Sequence, residues 1–134
     1  MRAAVGALAL LATACGSPSA DLFSVARTGE GAGAKLSLVV SDDGTVRCDG
    51  KAPVPLGAQR LLDARELARD LGKQAALGLE LEPGRAQDTT FRYVADLEAG
   101  RIAFADSSRG IPPTYQRLAA FSREVSKAVC KRRR

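Results

Sequence analysis

The chain has 134 residues, 46% of them hydrophobic, with a formal net charge of +5, enough for one domain around one modest core. It contains no histidine, which removes Ser-His-Asp and Cys-His mechanisms, most catalytic zinc sites and the commonest general base. Aromatic residues make up only 4% and there is no tryptophan, which argues against the exposed-ring platforms that hold carbohydrate or single-stranded nucleic acid.

At the N-terminal end Arg2 supplies a positive charge. An apolar run follows over 3–11, then the small residues Ala12, Thr13 and Ala14, then Cys15. A basic start, a short apolar stretch and a small-residue cleavage site make a secretory signal. The run is too short to span a bilayer as a helix, which takes about 20 residues. Gly16-Ser17-Pro18-Ser19 breaks any helix that would continue it. Leu11-Ala12-Thr13-Ala14-Cys15 resembles the lipobox of bacterial lipoproteins, with Ala12 where the box prefers leucine and Leu11 one place earlier. That resemblance implies that 1–14 are a removed signal peptide and that Cys15 is lipidated, palmitate among its acyl chains. It places the protein at the cell envelope, on the extracytoplasmic side of a bacterial membrane. Two or more acyl chains anchor stably where one is marginal. Residues 15–21 then form the lipidated cysteine and its tether.

Period-two alternation predicts a strand over 22–27, with Phe23 and Val25 on one face, and another over 35–41, with Leu36, Leu38 and Val40 on one face. The glycine-rich stretch 28–34 turns between them. Asp42-Asp43-Gly44 signals a hairpin, and 45–48 continues as a strand with Val46 and Cys48 aligned. Residues 49–57, with Pro53 and Pro55, read as a loop. From Ala58 the spacing of Leu61, Ala64, Ala68, Leu71 and Ala75 predicts a helix. Gly72 is a candidate stop, with one further turn to Leu77, and Glu66 and Arg69 are placed to pair. A loop over 79–88 precedes a strand over 89–97, with Phe91, Tyr93, Ala95 and Leu97 aligned. Glu98-Ala99-Gly100 turns into a strand over 101–106, with Ile102 and Phe104 inward. After a loop at 107–113, Thr114 can cap a last helix whose stripe is Tyr115, Leu118, Phe121, Val125 and Val129.

The order is βββ-α-ββ-α. The fold class is α+β, an antiparallel sheet with two helices packed on one face, as a single domain over 22–130 followed by a basic tail at 131–134. With Cys15 assigned to lipid, Cys48 and Cys130 remain, and outside the cytoplasm an even remainder predicts a disulfide. Chain-entropy arithmetic gives that bridge an upper value of roughly 4.5 kcal/mol. Lys131-Arg132-Arg133-Arg134 carries most of the net charge, so no basic face is required elsewhere and nucleic acid is not an expected partner. That run reads as cations at a helix C-terminus or as a contact for anionic lipid or wall polymer.

Asp42 and Asp43 sit where a turn wants aspartate, and Asp106 has no evident partner for acid–base work. Gly29-Glu30-Gly31-Ala32-Gly33-Ala34-Lys35 lacks the glycine before the lysine and the Ser or Thr after it that a phosphate-binding loop needs. The same loop carries a second resemblance. Arg27-Thr28-Gly29-Glu30-Gly31-Ala32-Gly33 after the first strand, with Phe91-Arg92-Tyr93-Val94 and Pro113 before the last helix, is similar to emfourin-type inhibitors of thermolysin-like metalloproteases. Glu30 stands where that family has its second glycine. The resemblance implies a β-β-α-β-β-α fold and inhibition of an extracellular protease.

The expected role is a lipid-anchored, non-catalytic binding module, with no metal and no cofactor. Its partners are the membrane, through the N-terminal lipid, and an envelope protein. The candidate binding loop is Arg27, Thr28, Gly29, Glu30 and Gly31, with 107–112 as a second exposed loop. Protease inhibition is the alternative and an envelope enzyme working without histidine the third reading.

Overall fold

The computed structural model describes residues 20–85 and 90–131. Strands β1 (Asp21–Thr28), β2 (Leu36–Ser41), β3 (Thr45–Cys48) and β4 (Val54–Pro55) precede helix α1 (Ala58–Ala76); β5 (Arg92–Leu97), β6 (Gly100–Ala105) and α2 (Pro113–Ala128) follow. The six strands form one antiparallel sheet in the order β4-β3-β2-β1-β5-β6. The expected three-strand meander is present, and β4 adds a short edge to it where a loop was expected. An edge tolerates Pro55 because the missing N–H faces no partner strand.

Alternation decides which face is buried. Val25 pairs with Leu38 on one side and Ala95 on the other, and Ala95 pairs with Ile102. Phe23, Val40, Val46, Cys48, Tyr93 and Phe104 fall on that same face, and all are buried. The opposite face presents Ser24, Ala26, Ser37, Arg47, Asp96 and Arg101 and, among the described residues, carries no helix. Both helices lie on the apolar face. Phe121 of α2 meets Phe23 edge-on at 5.8 Å, and Tyr115 sits 5.1 Å from Phe104, which stacks on Tyr93 at 5.0 Å.

The helices run across the strands and antiparallel to each other. α1 starts beside the β2–β3 turn, where the Leu56 N–H donates to the Gly44 carbonyl at 2.8 Å. It ends with the Ala75 carbonyl against Gly100 of β6. Along their shared side Arg60 meets Glu124 at 2.9 Å and Arg117 meets Asp70 at 2.9 Å. Glu66, expected to pair with Arg69 on its own helix, instead faces Arg117 at 3.7 Å. α1 buries Ala64, Leu67, Leu71 and Ala75 and passes through Gly72 without a break. Burial of Leu71 and Ala75 on either side of Gly72 outweighs the roughly 1 kcal/mol that glycine costs a helix.

In β6, Ile102, Ala103, Phe104 and Ala105 are all buried, although the strand ends the sheet. The chain after α1 covers this edge. Glu80 bridges Ala103 in parallel, the Leu81 N–H donates to the Ala103 carbonyl at 2.7 Å, and the Tyr115 hydroxyl donates to the Leu79 carbonyl at 2.9 Å. Covering an edge in this way removes a template for unwanted pairing. Thr114 does not cap α2. Pro112 occupies the cap position and Pro113 the first helical one, where its fixed φ already suits a helix. Cys48 and Cys130 form a disulfide that spans 82 residues and ties β3 to the end of α2, with Cα atoms 5.9 Å apart.

Candidate functional site

The loop between β1 and β2 is held from below by Arg27. Strand alternation puts this arginine on the inner face after Phe23 and Val25, and it is only 8% exposed. Its Nε donates to the Ala34 carbonyl at 2.8 Å and its Nη2 to the Gly33 carbonyl at 2.8 Å. The guanidinium lies 4.8 Å from the centre of the Phe91 ring, within cation–π range. Arg27 opens the candidate binding loop but does not share the exposure of the residues after it. It is instead the clamp of the loop, because residue parity in β1 turns its side chain toward the core.

Gly29 is the second fixed point. A Cβ there would stand 2.7 Å from Phe91 Cδ1 and 3.0 Å from the Thr90 carbonyl oxygen, so the backbone seats directly on the ring. Ala34, 2% exposed, closes the loop with its N–H to the Gly31 carbonyl at 3.3 Å. Between these supports Thr28, Glu30, Gly31, Ala32 and Gly33 are exposed. Sequence reasoning found the loop but not its seat. The alternation puts Phe91 on the inward face, and the resemblance puts it in the aromatic segment, but neither shows that it seats Gly29.

The second expected loop lies at the same end of the sheet. The Asp106 N–H donates to the Phe91 carbonyl at 2.9 Å, and the Phe91 N–H reaches Asp106 Oδ2 at 3.4 Å. Ser108 turns inward, its Oγ accepting from the Ala105 N–H at 2.9 Å, so Arg109 and Gly110 are what this loop exposes most. Gly84 passes against the Ser107 backbone. A cleft of about 380 Å³ opens there between 81–85 and Arg109. A second hollow, about 340 Å³, lies at the other end of the sheet, with Asp21, Asp96 and Glu98 on its walls. The 28–33 loop borders neither.

The paired carboxylates of the β2–β3 turn serve structure. Asp42 Oδ1 accepts from Arg65 Nε at 2.7 Å. Asp43 Oδ1 accepts from the Thr45 hydroxyl at 2.6 Å and the Thr45 N–H at 2.9 Å. The hydroxyl bond above all holds the Asp43 carboxyl below its ordinary value of 3.8. Burial raises the Tyr115 phenol above 10.0. Among the described residues no three His, Cys, Asp or Glu side chains are placed to hold a metal ion, and no helix is long and apolar enough to cross a membrane. Cys15, the expected signal over 1–14 and the arginines 132–134 lie outside the described residues. No family model, curated protein or solved structure matches the chain.

Proposed function

We propose that this is a lipid-anchored cell-envelope protein whose α+β domain acts as a non-catalytic binding module, with the loop over 28–33 as its contact surface. The observation that carries this reading is the Arg27 clamp. A buried guanidinium bonded to two loop carbonyls fixes an exposed, side-chain-poor protrusion before any partner arrives, and preorganisation of that kind lowers the entropy cost of association. Loops on a rigid scaffold are where recognition concentrates, and a chain without histidine leaves few routes to hydrolytic chemistry. Growth with a radioactive fatty acid tests the anchor. Wild type incorporates label and Cys15→Ser does not; an unlabelled wild type ends the lipoprotein reading. Cross-linking in envelope extract tests the loop. Glu30→Arg reduces a captured band at least severalfold, and an unchanged capture pattern removes the loop from the interface.

The second reading is inhibition of a thermolysin-like protease. What favours it is that the segment resembling the emfourin motif is the one that Arg27 and Gly29 hold rigid. The soluble domain at micromolar excess slows thermolysin-like proteases if this reading is right. Full protease activity under that excess eliminates it.

A further inference from the structure

We propose that the corner where the disulfide joins β3 to the end of α2 docks onto the anionic lipid headgroups of the membrane that anchors the protein. Three lysines lie within three residues of the two bonded cysteines. Lys51 follows Cys48 in a turn closed by its own N–H donating to the Cys48 carbonyl at 3.0 Å. Lys131 follows Cys130, and Lys127 sits in the last turn of α2. The Cys48–Cys130 bond, with Cα atoms 5.9 Å apart, fixes Lys51 and Lys131 to one spot. All three lysines are exposed, and Arg132, Arg133 and Arg134 come next in the sequence. Two carboxylates lie nearby, fewer than the three lysines. Asp49 accepts the Ser37 N–H at 2.9 Å, and Glu124 pairs with Arg60 at 2.9 Å.

The rest of the charge is arranged to match. Where the chain enters β1, the Ala20 carbonyl accepts from the Asp42 N–H at 3.0 Å. That end gathers Asp21, Asp42, Asp43, Asp96 and Glu98. Its arginines, Arg65 and Arg101, are tied to Asp42 and Asp96 at 2.7 Å each. An anionic surface therefore repels the entry end and attracts the lysine corner. Naming the membrane as occupant rests on the reading of Cys15 as lipid-bearing. The five steps along the chain from Cys15 to Ala20 reach about 17 Å at full extension, so the start of β1 is held at most that far from the lipid-bearing residue. A basic residue near such a surface strengthens attachment roughly fivefold. The corner thus adds an electrostatic contact to the acyl anchor and turns the domain onto one side.

The test uses the oxidised chain from residue 15 onward with Cys15→Ser, since the described apolar core and the side chains packed on it run from Leu22 to Cys130. It is sedimented with vesicles of phosphatidylcholine alone or mixed with phosphatidylglycerol. Binding is expected only with phosphatidylglycerol, and it fades at high salt as exposed charges are screened. The double variant Lys51→Gln/Lys127→Gln, which keeps 131–134, is expected to lose roughly tenfold or more of that binding. Arg85→Gln/Arg109→Gln, in the cleft away from the corner, is expected to lose none. No vesicle binding, binding indifferent to lipid charge, retention only by a soluble polyanion such as heparin, or an unaffected Lys51/Lys127 variant each overturns the proposal. Because the protein tested carries no lipid, fatty-acid labelling of the wild type reports separately on the anchor.

Discussion

Arg27 shows how one side chain converts a sequence pattern into a shaped surface. Its parity places it inside, where an unpaired charge would be costly, and the loop carbonyls of Gly33 and Ala34 together with the Phe91 ring supply what water no longer can. Arg27→Met keeps the apolar stem and deletes both hydrogen bonds. It is expected to lower unfolding free energy by about 1.5–3 kcal/mol, the range for bonds to a charged group, and to open 28–34 to proteolytic nicking. Urea unfolding and limited proteolysis measure the two effects, and a variant as stable and as resistant as wild type contradicts the clamp. Tyr115 gives a residue-scale pH dependence. Its phenol is raised above 10.0 by burial and donates to the Leu79 carbonyl. A group whose folded value is raised contributes stability that is complete below the unfolded value and is lost as pH climbs through the folded one. Stability is therefore expected to fall above about pH 10, and Tyr115→Phe to flatten that fall in base-unfolding curves. An identical alkaline slope in the variant assigns the loss elsewhere.

At the scale of elements, the two helices illustrate which contacts carry weight. Arg117 reaches Glu66 and Asp70 across the helix pair, yet each partner is more than a third exposed, and such pairs are worth about 0–1 kcal/mol. Leu67, buried beneath the same helix, is expected to cost about 2–5 kcal/mol on replacement by alanine. Comparing Arg117→Gln with Leu67→Ala by denaturant midpoint tests the ranking; equal losses reject it. The stripe read from α1 caught Ala64, Leu71 and Ala75 but missed Leu67. A helix lying across a sheet beside a second helix buries a broader face than one narrow stripe describes. Gly72 and Thr114 misled for a common reason. Each is a local signal, one for stopping and one for capping, and tertiary burial on one side and Pro113 on the other outweighed them.

Across the whole molecule the disulfide is the covalent link, joining the third strand to the end of the last helix. Reduction is expected to lower stability by no more than roughly 4.5 kcal/mol, seen as a drop in Tm with reductant. An unmoved Tm shows that packing alone holds α2. The core is otherwise layered simply, with aromatic contacts from Tyr93 through Phe104 to Tyr115 and from Phe23 to Phe121 fastening α2 to β1, β5 and β6. The segment at 79–81 closes the free edge of β6. That closure explains why Ala103 and Ala105, on the face opposite α1 and α2, are as buried as Ile102 and Phe104.

Sequence alone determined the periodicities, and with them five of the six strands, both helices and the α+β class, because alternation at two and at three to four depends on neighbours along the chain; the Cys48–Cys130 pairing came from counting cysteines instead. It also placed the glycine-rich loop. It could not yield the seat of Gly29 on Phe91, the covering of β6 or the placing of Lys51 and of Lys127 and Lys131 on either side of one disulfide. These join residues tens of positions apart, and only the packed sheet and its crossing helices bring them together. β4 belongs with them, since two residues carry no period and become a strand only when β3 is there to pair with.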